Sequence, residues 1–207
     1  MEREAVKNLF GKNFIGRDEL MFFFKALGFG EVEIQESPIQ YSDADLQKAA
    51  NKDYILIYGV ENVNGQDITL RLLREKFGVN PDASEPCMYN QDWYMKEDFM
   101  DLALYDRWYL IKKDVFEESR AVMPGDLTQQ GMVFPPAILC GYTFFAYYFA
   151  RNEYLWWHDF VWCSDTDHNG DRIYVGKYHD IDGVNKNGFS IHRHLALRPC
   201  YGSVNCL

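Results

Sequence analysis

The segment Asp165-Thr-Asp167-His-Asn169-Gly170-Asp171 carries the most chemically suggestive spacing in the chain. Oxygen donors at positions 1, 3 and 5 and a glycine at 6 open a calcium loop: the oxygens are hard ligands and the glycine makes the turn. Position 12 would be Gly176, where a bidentate glutamate is needed, and no helical period flanks the segment. The same string reads equally as an Asp/Asn-rich turn between two strands, held by side-chain-to-backbone hydrogen bonds. The expectation is no cofactor, with calcium on Asp165, Asp167 and Asn169 as the alternative.

Two other groupings could do chemistry. His179, His192 and His194 with Cys163 and Cys200 offer zinc ligands, but without the close Cys or His spacing of a zinc site. His192 and His194 would share one strand face; solvated loop histidines are the competing reading. Cys163 with His158 and Asp165 offers a nucleophile, a base and an orienting acid. Cys163 follows Trp162 in an apolar run, where cysteine acts as a small hydrophobe. No nucleophile elbow, P-loop or dinucleotide fingerprint is present. The tryptophans Trp156, Trp157 and Trp162 lie beside an apolar helical run, which favours core packing over a carbohydrate platform. The chain therefore reads as a non-enzyme.

These residues need a scaffold, and composition bounds it. At 207 residues the chain can build one sizeable domain. Hydrophobic residues at 47% and charged residues at 25% are ordinary for a globular protein, whereas aromatics at 16% are high. Such an excess can fill a core or arm a binding face. A formal net charge of -10 argues against nucleic acid and against anionic membrane surfaces as partners. The longest apolar stretch, Val133 to Ala150, is interrupted by prolines, a glycine and a threonine, so no membrane insertion is expected. The opening MEREAVKNLFGK has no signal-peptide pattern, and five cysteines without a CxxC pair suit a reducing compartment. The reading is cytoplasmic at synthesis, with a role on a viral particle or cell surface left open.

Periodicity places the elements. Leu20, Phe23, Phe24 and Leu27 repeat at helical spacing within residues 14–28, with Gly28 as the stop. Ser42, Asp43 and Asp45 open a second helix, and Thr69 to Phe77 forms a third. Tyr54 to Tyr58 and Trp108 to Ile111 read as strands, with a turn over 62–66. Residues 116–130 read as irregular. After Pro135-Pro136 comes a helix from Ala137 to about Arg151, apolar nearly all round and therefore buried. From Phe160 onward short strand-like runs, Leu195 to Leu197 among them, alternate with Asp, Asn, Gly and His clusters.

The order of these pieces carries a resemblance. A buried helix leads to Leu155-Trp-Trp-His-Asp-Phe-Val-Trp-Cys-Ser-Asp165, then Gly170-Asp-Arg-Ile-Tyr-Val-Gly176, a polar loop through Gly183 and Asn187-Gly188, and Leu195-Ala-Leu-Arg-Pro199. This resembles the C-type-lectin-like fold of the formylglycine-generating-enzyme type, in which W-S-S, G-x-x-Y-V and V-R-P strands surround a ligand face. More narrowly, it resembles the variable proteins diversified by diversity-generating retroelements. The match runs from about Gln91 to Gly202; the first ninety residues match loosely. Here W-C-S-D stands for W-S-S, and the enzymes' two-cysteine site has no counterpart motif around Cys140 or Cys163.

The resemblance implies an α+β, C-type-lectin-like fold. Residues 1–90 would be an N-terminal helical or mixed extension, or the first half of the domain. Residues 91–207 would be the lectin-like region, with a variable segment at about 160–200, all in one compact unit. It implies a hypervariable, non-catalytic surface for a protein or carbohydrate ligand. Adenine-directed diversification could reach His168, Asn169, Asp171, Tyr178, His179, Asp180, Asp182, Asn185, Asn187, Phe189, Ser190, His192 and His194. Gly170, Val175, Gly176, Gly183, Leu195, Leu197 and Pro199 would be framework. The alternatives are a calcium-dependent lectin and a formylglycine-generating-type enzyme using Cys163. Rigid scaffolds that present polar loops bind without chemistry, whereas composition alone predicts no more than a solvated loop.

Overall fold

In the computed structural model the described residues are 1–178, 188–193 and 197–207. They form a mixed α+β fold: six α-helices, two small sheets that carry the architecture, and a two-stranded hairpin. The first sheet has the order β1 (Phe14–Ile15), β2 (Tyr54–Tyr58), β5 (Trp108–Lys112), parallel then antiparallel. The hairpin joins β3 (Asn62–Val63) to β4 (Gln66–Asp67). The second sheet runs β8 (Gly188–His192), β7 (Arg172–Tyr178), β6 (Phe160–Thr166), β9 (Tyr201–Gly202). Its last pair is parallel, Phe160 opposite Tyr201.

Helices α1 (Arg3–Phe10), α2 (Arg17–Ala26), α3 (Asp43–Asn51) and α4 (Leu70–Phe77) precede β5. Leu20, Phe23, Phe24 and Leu27 are buried, as their spacing requires, but Phe14 and Ile15 leave the helix to pair with β2. Ser42 and Thr69 cap α3 and α4, their hydroxyls accepting from the N–H groups of Asp45 and Leu72. Residues 116–130, expected to be irregular, contain the short helix α5 (Pro124–Gln129) with proline in its first turn. A six-residue segment with Pro, Gly and Asp shows no apolar period to read.

Helix α6 (Ala137–Arg151) is the centre of the molecule, buried continuously from Ala137 to Tyr147. It ends at Asn152, whose left-handed conformation (φ 55°) closes the last turn by an N–H bond to the Tyr148 carbonyl. Its apolar circumference is explained by what surrounds it. Phe23 of α2 meets Tyr142 edge-on at 5.1 Å, and Phe77 of α4 stacks on Phe145 at 4.4 Å. Phe189 of β8 meets Phe144 at 5.0 Å. Burying each such ring contributes about 1.5–3 kcal/mol. Gly141 allows α4 to approach: a Cβ there would lie 2.6 Å from Cδ2 of Leu70. Polar tips are satisfied, Tyr142 donating to the Tyr58 carbonyl and Tyr147 to Oδ1 of Asn13.

One apolar core includes residues from Val6 to Val204, so the first ninety residues pack with the rest. Residues 205–207 return to the first sheet and line β5: Lys112 N–H bonds to the Asn205 carbonyl, and Leu207 N–H to that of Leu110. No helix among the described residues is long and apolar enough to cross a membrane.

Candidate ligand-binding face

The second sheet has two unlike faces because strand side chains alternate. Val161, Cys163, Ile173, Val175, Phe189 and Ile191 are all completely buried and belong to the core around α6. Phe160, Trp162, Tyr174, His192 and Tyr201 occupy the outer face. The rings of Tyr174 and His192 stack at 5.4 Å, and Phe160 stands edge-on to His192 at 5.3 Å and to Tyr201 at 5.4 Å. Leu127 of α5 and Phe134 cover one end, over Trp162 and Tyr174. Phe160, His192 and Tyr201 stay part-exposed.

Two features of this face bear on binding. Burial holds the His192 imidazole down at about 4, so it is neutral at neutral pH. Among the described residues its buried Nε2 has no hydrogen-bond partner, and neither has Oε1 of Gln91. Residues 87–91 run beside β8, with the Tyr89 N–H bonded to the Phe189 carbonyl and the Tyr89 ring 6.3 Å from His192. Gly176 in β7 is a steric requirement: a Cβ there would sit 2.1 Å from the Asp159 carbonyl oxygen.

The acidic string forms the β6–β7 turn, and its carboxylates are hydrogen-bonded to the protein. Oδ2 of Asp165 accepts the Ala137 N–H at 2.7 Å, at the start of α6. Oδ1 of Asp167 accepts the N–H groups of Asn169 and Asp171, both at 2.9 Å, which is a side-chain-closed turn. Its Oδ2 receives Nη1 of Arg193 at 2.7 Å. Burial pushes the Asp167 carboxyl up, but Arg193 and the two N–H donors outweigh it and hold the group at about 2. Of the expected calcium set, Asp165 and Asp167 thus have protein partners, and Asn169 is exposed.

A partner missed by sequence reasoning is Glu97. It is buried, accepts the His168 N–H at 2.9 Å, and meets Nδ1 of His168 at 2.6 Å. Glu97, Asp167 and His168 bring ligand atoms within 4.8 Å of one another. Arg193 lies 3.9 Å from Glu97 and stacks over Trp93 at 4.5 Å, while the Trp93 indole donates to the Ile191 carbonyl. This cluster ties the 93–97 segment, the β6–β7 turn and the end of β8 together.

Among the described residues neither the nucleophile grouping nor the Cys163, His192 and Cys200 part of the zinc grouping assembles; His179 and His194 lie outside them. Cys163 is fully buried against α6; burial first, then the Cys140 thiol and the Asp165 charge, push its thiol well above the ordinary value. Such a thiol is a poor nucleophile at neutral pH. His158 is exposed ahead of β6. Cys163 and His192 lie on opposite faces of the sheet, so they cannot share an ion. Trp156 and Trp162 are core, as expected, but Trp157 is 42% exposed and covers Lys177.

Of the expected ligand-facing residues, His168 and Asn169 are exposed and Asp171 is part-exposed, all in the turn. His192 is part-buried on the outer face. Tyr178 ends β7 opposite Gly188. Phe189 and Ser190 are corrections: both are completely buried, Phe189 in the α6 core and Ser190 bonded to the Gly176 carbonyl at 3.1 Å. His179, Asp180, Asp182, Asn185, Asn187 and His194 lie outside the described residues, as do Gly183 and Leu195. Of the expected closing strand, residues 195 and 196 lie outside the described residues, residues 197–200 are coil and turn, and Tyr201 pairs with Phe160.

The outer-face aromatics were legible in principle. Phe160 and Trp162 alternate with Val161 and Cys163, a period of two that separates faces. Comparison with protein-family models, with curated proteins and with solved structures gave no match.

Proposed function

We propose that the chain is a non-enzymatic binding protein with a C-type-lectin-like fold. Its ligand face is the outer side of the β6–β9 sheet with the adjoining loops, diversified by a retroelement. The observation that carries this reading is His192: a neutral imidazole whose buried Nε2 has no partner among the described residues, set among the rings of Tyr174, Phe160 and Tyr89. A buried polar atom left unpaired is costly, and a ligand that supplies the missing partner recovers that cost. Aromatic rings around it offer contact area with little loss of side-chain freedom.

Three further observations support binding over catalysis. The Cys163 thiol is held protonated in the core, Asp165 serves the N-terminus of α6, and Asp167 serves a turn and Arg193. The Glu97–Asp167–Arg193 cluster gives the β6–β7 turn a rigid base, which suits a scaffold that presents variable side chains. The ligand class is a protein or a glycan.

The DNA around the coding region tests the reading. A reverse-transcriptase gene should accompany a near-copy of the stretch encoding about 160–200, with differences concentrated at adenines. A neighbourhood with neither would overturn it.

A further inference from the structure

A second surface, away from the outer sheet face, has the chemistry of a small-molecule site. Residues from 102–109, from the stretch 133–139 leading into α6, and 206–207 line an open cleft of about 580 Å³. That volume lies in the usual small-molecule range of about 300–1,000 Å³. Its walls are apolar, and four of the side chains that line it are exposed: Leu102, Tyr105, Val133 and Leu207. Apolar walls around a concave surface with a few polar groups are the usual make-up of a small-molecule pocket.

The lining holds a single charged side chain, Arg107. Its guanidinium lies over the Tyr109 ring at 4.7 Å and within 6.0 Å of the Tyr105 ring. Among the described residues no carboxylate comes within 4.0 Å of it. The neighbouring Asp106 is engaged elsewhere, accepting the Glu61 N–H at 2.9 Å. Most arginines of this chain are paired: Arg71 with Asp101, Arg74 with Asp92, Arg120 with Asp159. A planar cation, preset by stacking and without an anion of its own, stands at the edge of an apolar cleft. The chain as a whole carries a net charge of -10.

We infer that this cleft binds a small carboxylate with an aliphatic body, its chain along Leu102, Val133 and Leu139 and its carboxylate on Arg107. Carboxylate and guanidinium pair by two parallel N–H···O bonds, and the flanking rings exclude water from one side of the pair. This inference is independent of the outer-face reading.

Decanoate is the probe, titrated into the intact protein by calorimetry, with decanol as the uncharged match. Decanoate should bind saturably and decanol at least about tenfold more weakly, the loss of one charge-assisted contact. Arg107→Gln should weaken decanoate by about tenfold or more and leave decanol and the melting temperature unchanged. Val133→Asp, at an exposed position, should abolish decanoate binding by like-charge repulsion in a folded protein. Equal affinity for the two probes, or indifference to both substitutions, would overturn the assignment. Sedimentation showing a dimer that Val133→Asp dissociates would also overturn it, since the occupant would then be a second copy of the chain.

Discussion

The Asp165 carboxylate and the Ala137 N–H, 28 residues apart, meet at 2.7 Å and join the middle of the second sheet to the start of the central helix. Proline precedes Ala137, so no side-chain cap comes from the helix's own sequence; a strand supplies it. An acidic residue that the local pattern offers to calcium is thereby a tertiary helix cap.

The cap predicts a difference between two substitutions. Burial raises the Asp165 carboxyl above the ordinary range despite the N–H bond. A raised acid contributes its full stability below the unfolded value, and loses it as pH rises through the folded value. At neutral pH Asp165→Asn keeps an acceptor without a buried charge and should match or exceed the parent in stability. Asp165→Ala should cost about 1 kcal/mol. Urea unfolding at pH 7 and pH 4 checks this; equal losses from both would refute the cap.

Asp167 predicts the opposite pH sign. Its carboxyl is held at about 2 by Arg193 and two backbone donors, against burial. Its contribution is present above the unfolded carboxylate value of about 3.9 and disappears as pH falls towards about 2. Melting temperature against pH should therefore fall through that window in the parent. Asp167→Asn should lie below the parent at neutral pH and show a shallower acid slope.

Lys177 is 2% exposed, paired with Glu85 at 2.7 Å, and lies under the rings of Tyr154 and Trp157 at 4.5 and 5.2 Å. Breaking a fully buried pair costs about 3–5 kcal/mol; Glu85 is partly solvated, so Lys177→Met should cost about 2 kcal/mol. Adding Glu85→Gln should restore part of the loss, because the stranded carboxylate is gone. A double-mutant cycle from denaturant midpoints reads the coupling.

Gly176 is held by a close backbone approach. Alanine there collides with the Asp159 carbonyl, so Gly176→Ala should cost about 2 kcal/mol or more by forcing β6 and β7 apart. Gly170→Ala, in open space but at φ 85°, should cost about 1 kcal/mol. Thermal unfolding by circular dichroism ranks the two, and a reversed order would contradict the steric account.

The thiols should divide by depth. Cys87, Cys140 and Cys163 are buried and Cys200 and Cys206 part-buried. Burial, then the Cys140 neighbour, pushes Cys206 up to about 12, so Cys200 should label first with a disulfide reagent in the native protein. Peptide mass spectrometry identifies the order; early labelling of Cys163 would contradict its place in the core.

The helices were readable where one face or the whole circumference was apolar. Ala137 to Arg151 emerges from composition alone, and the caps at Ser42 and Thr69 lie where their side-chain chemistry puts them. The short α5 was not readable, because Pro124-Gly-Asp has no period. Phe189 and Ser190 looked like loop because their surroundings are polar in sequence. They are buried because α6, some forty residues away, covers one face of β8 and residues 87–91, about a hundred residues away, run along its edge. Asp165 and Asp167 carried the right donor chemistry for a cation, but the choice between a cation, a helix terminus and Arg193 is made by distant chain.

The placement of residues 205–207 along β5 also dictates an order of events in time. The edge of the first sheet cannot close until nearly all the intervening chain has been made, because Ile111 waits for Cys206. The Trp93 indole waits likewise for the Ile191 carbonyl. Assembly through such distant pairings is slow, since loop closure must precede the contacts that reward it. A nascent chain stopped before β6 therefore has the three strands of the first sheet but none of the second, and exposes the side of α6 that Phe189 and its neighbours cover; this is the stage at which a chaperone has something to hold.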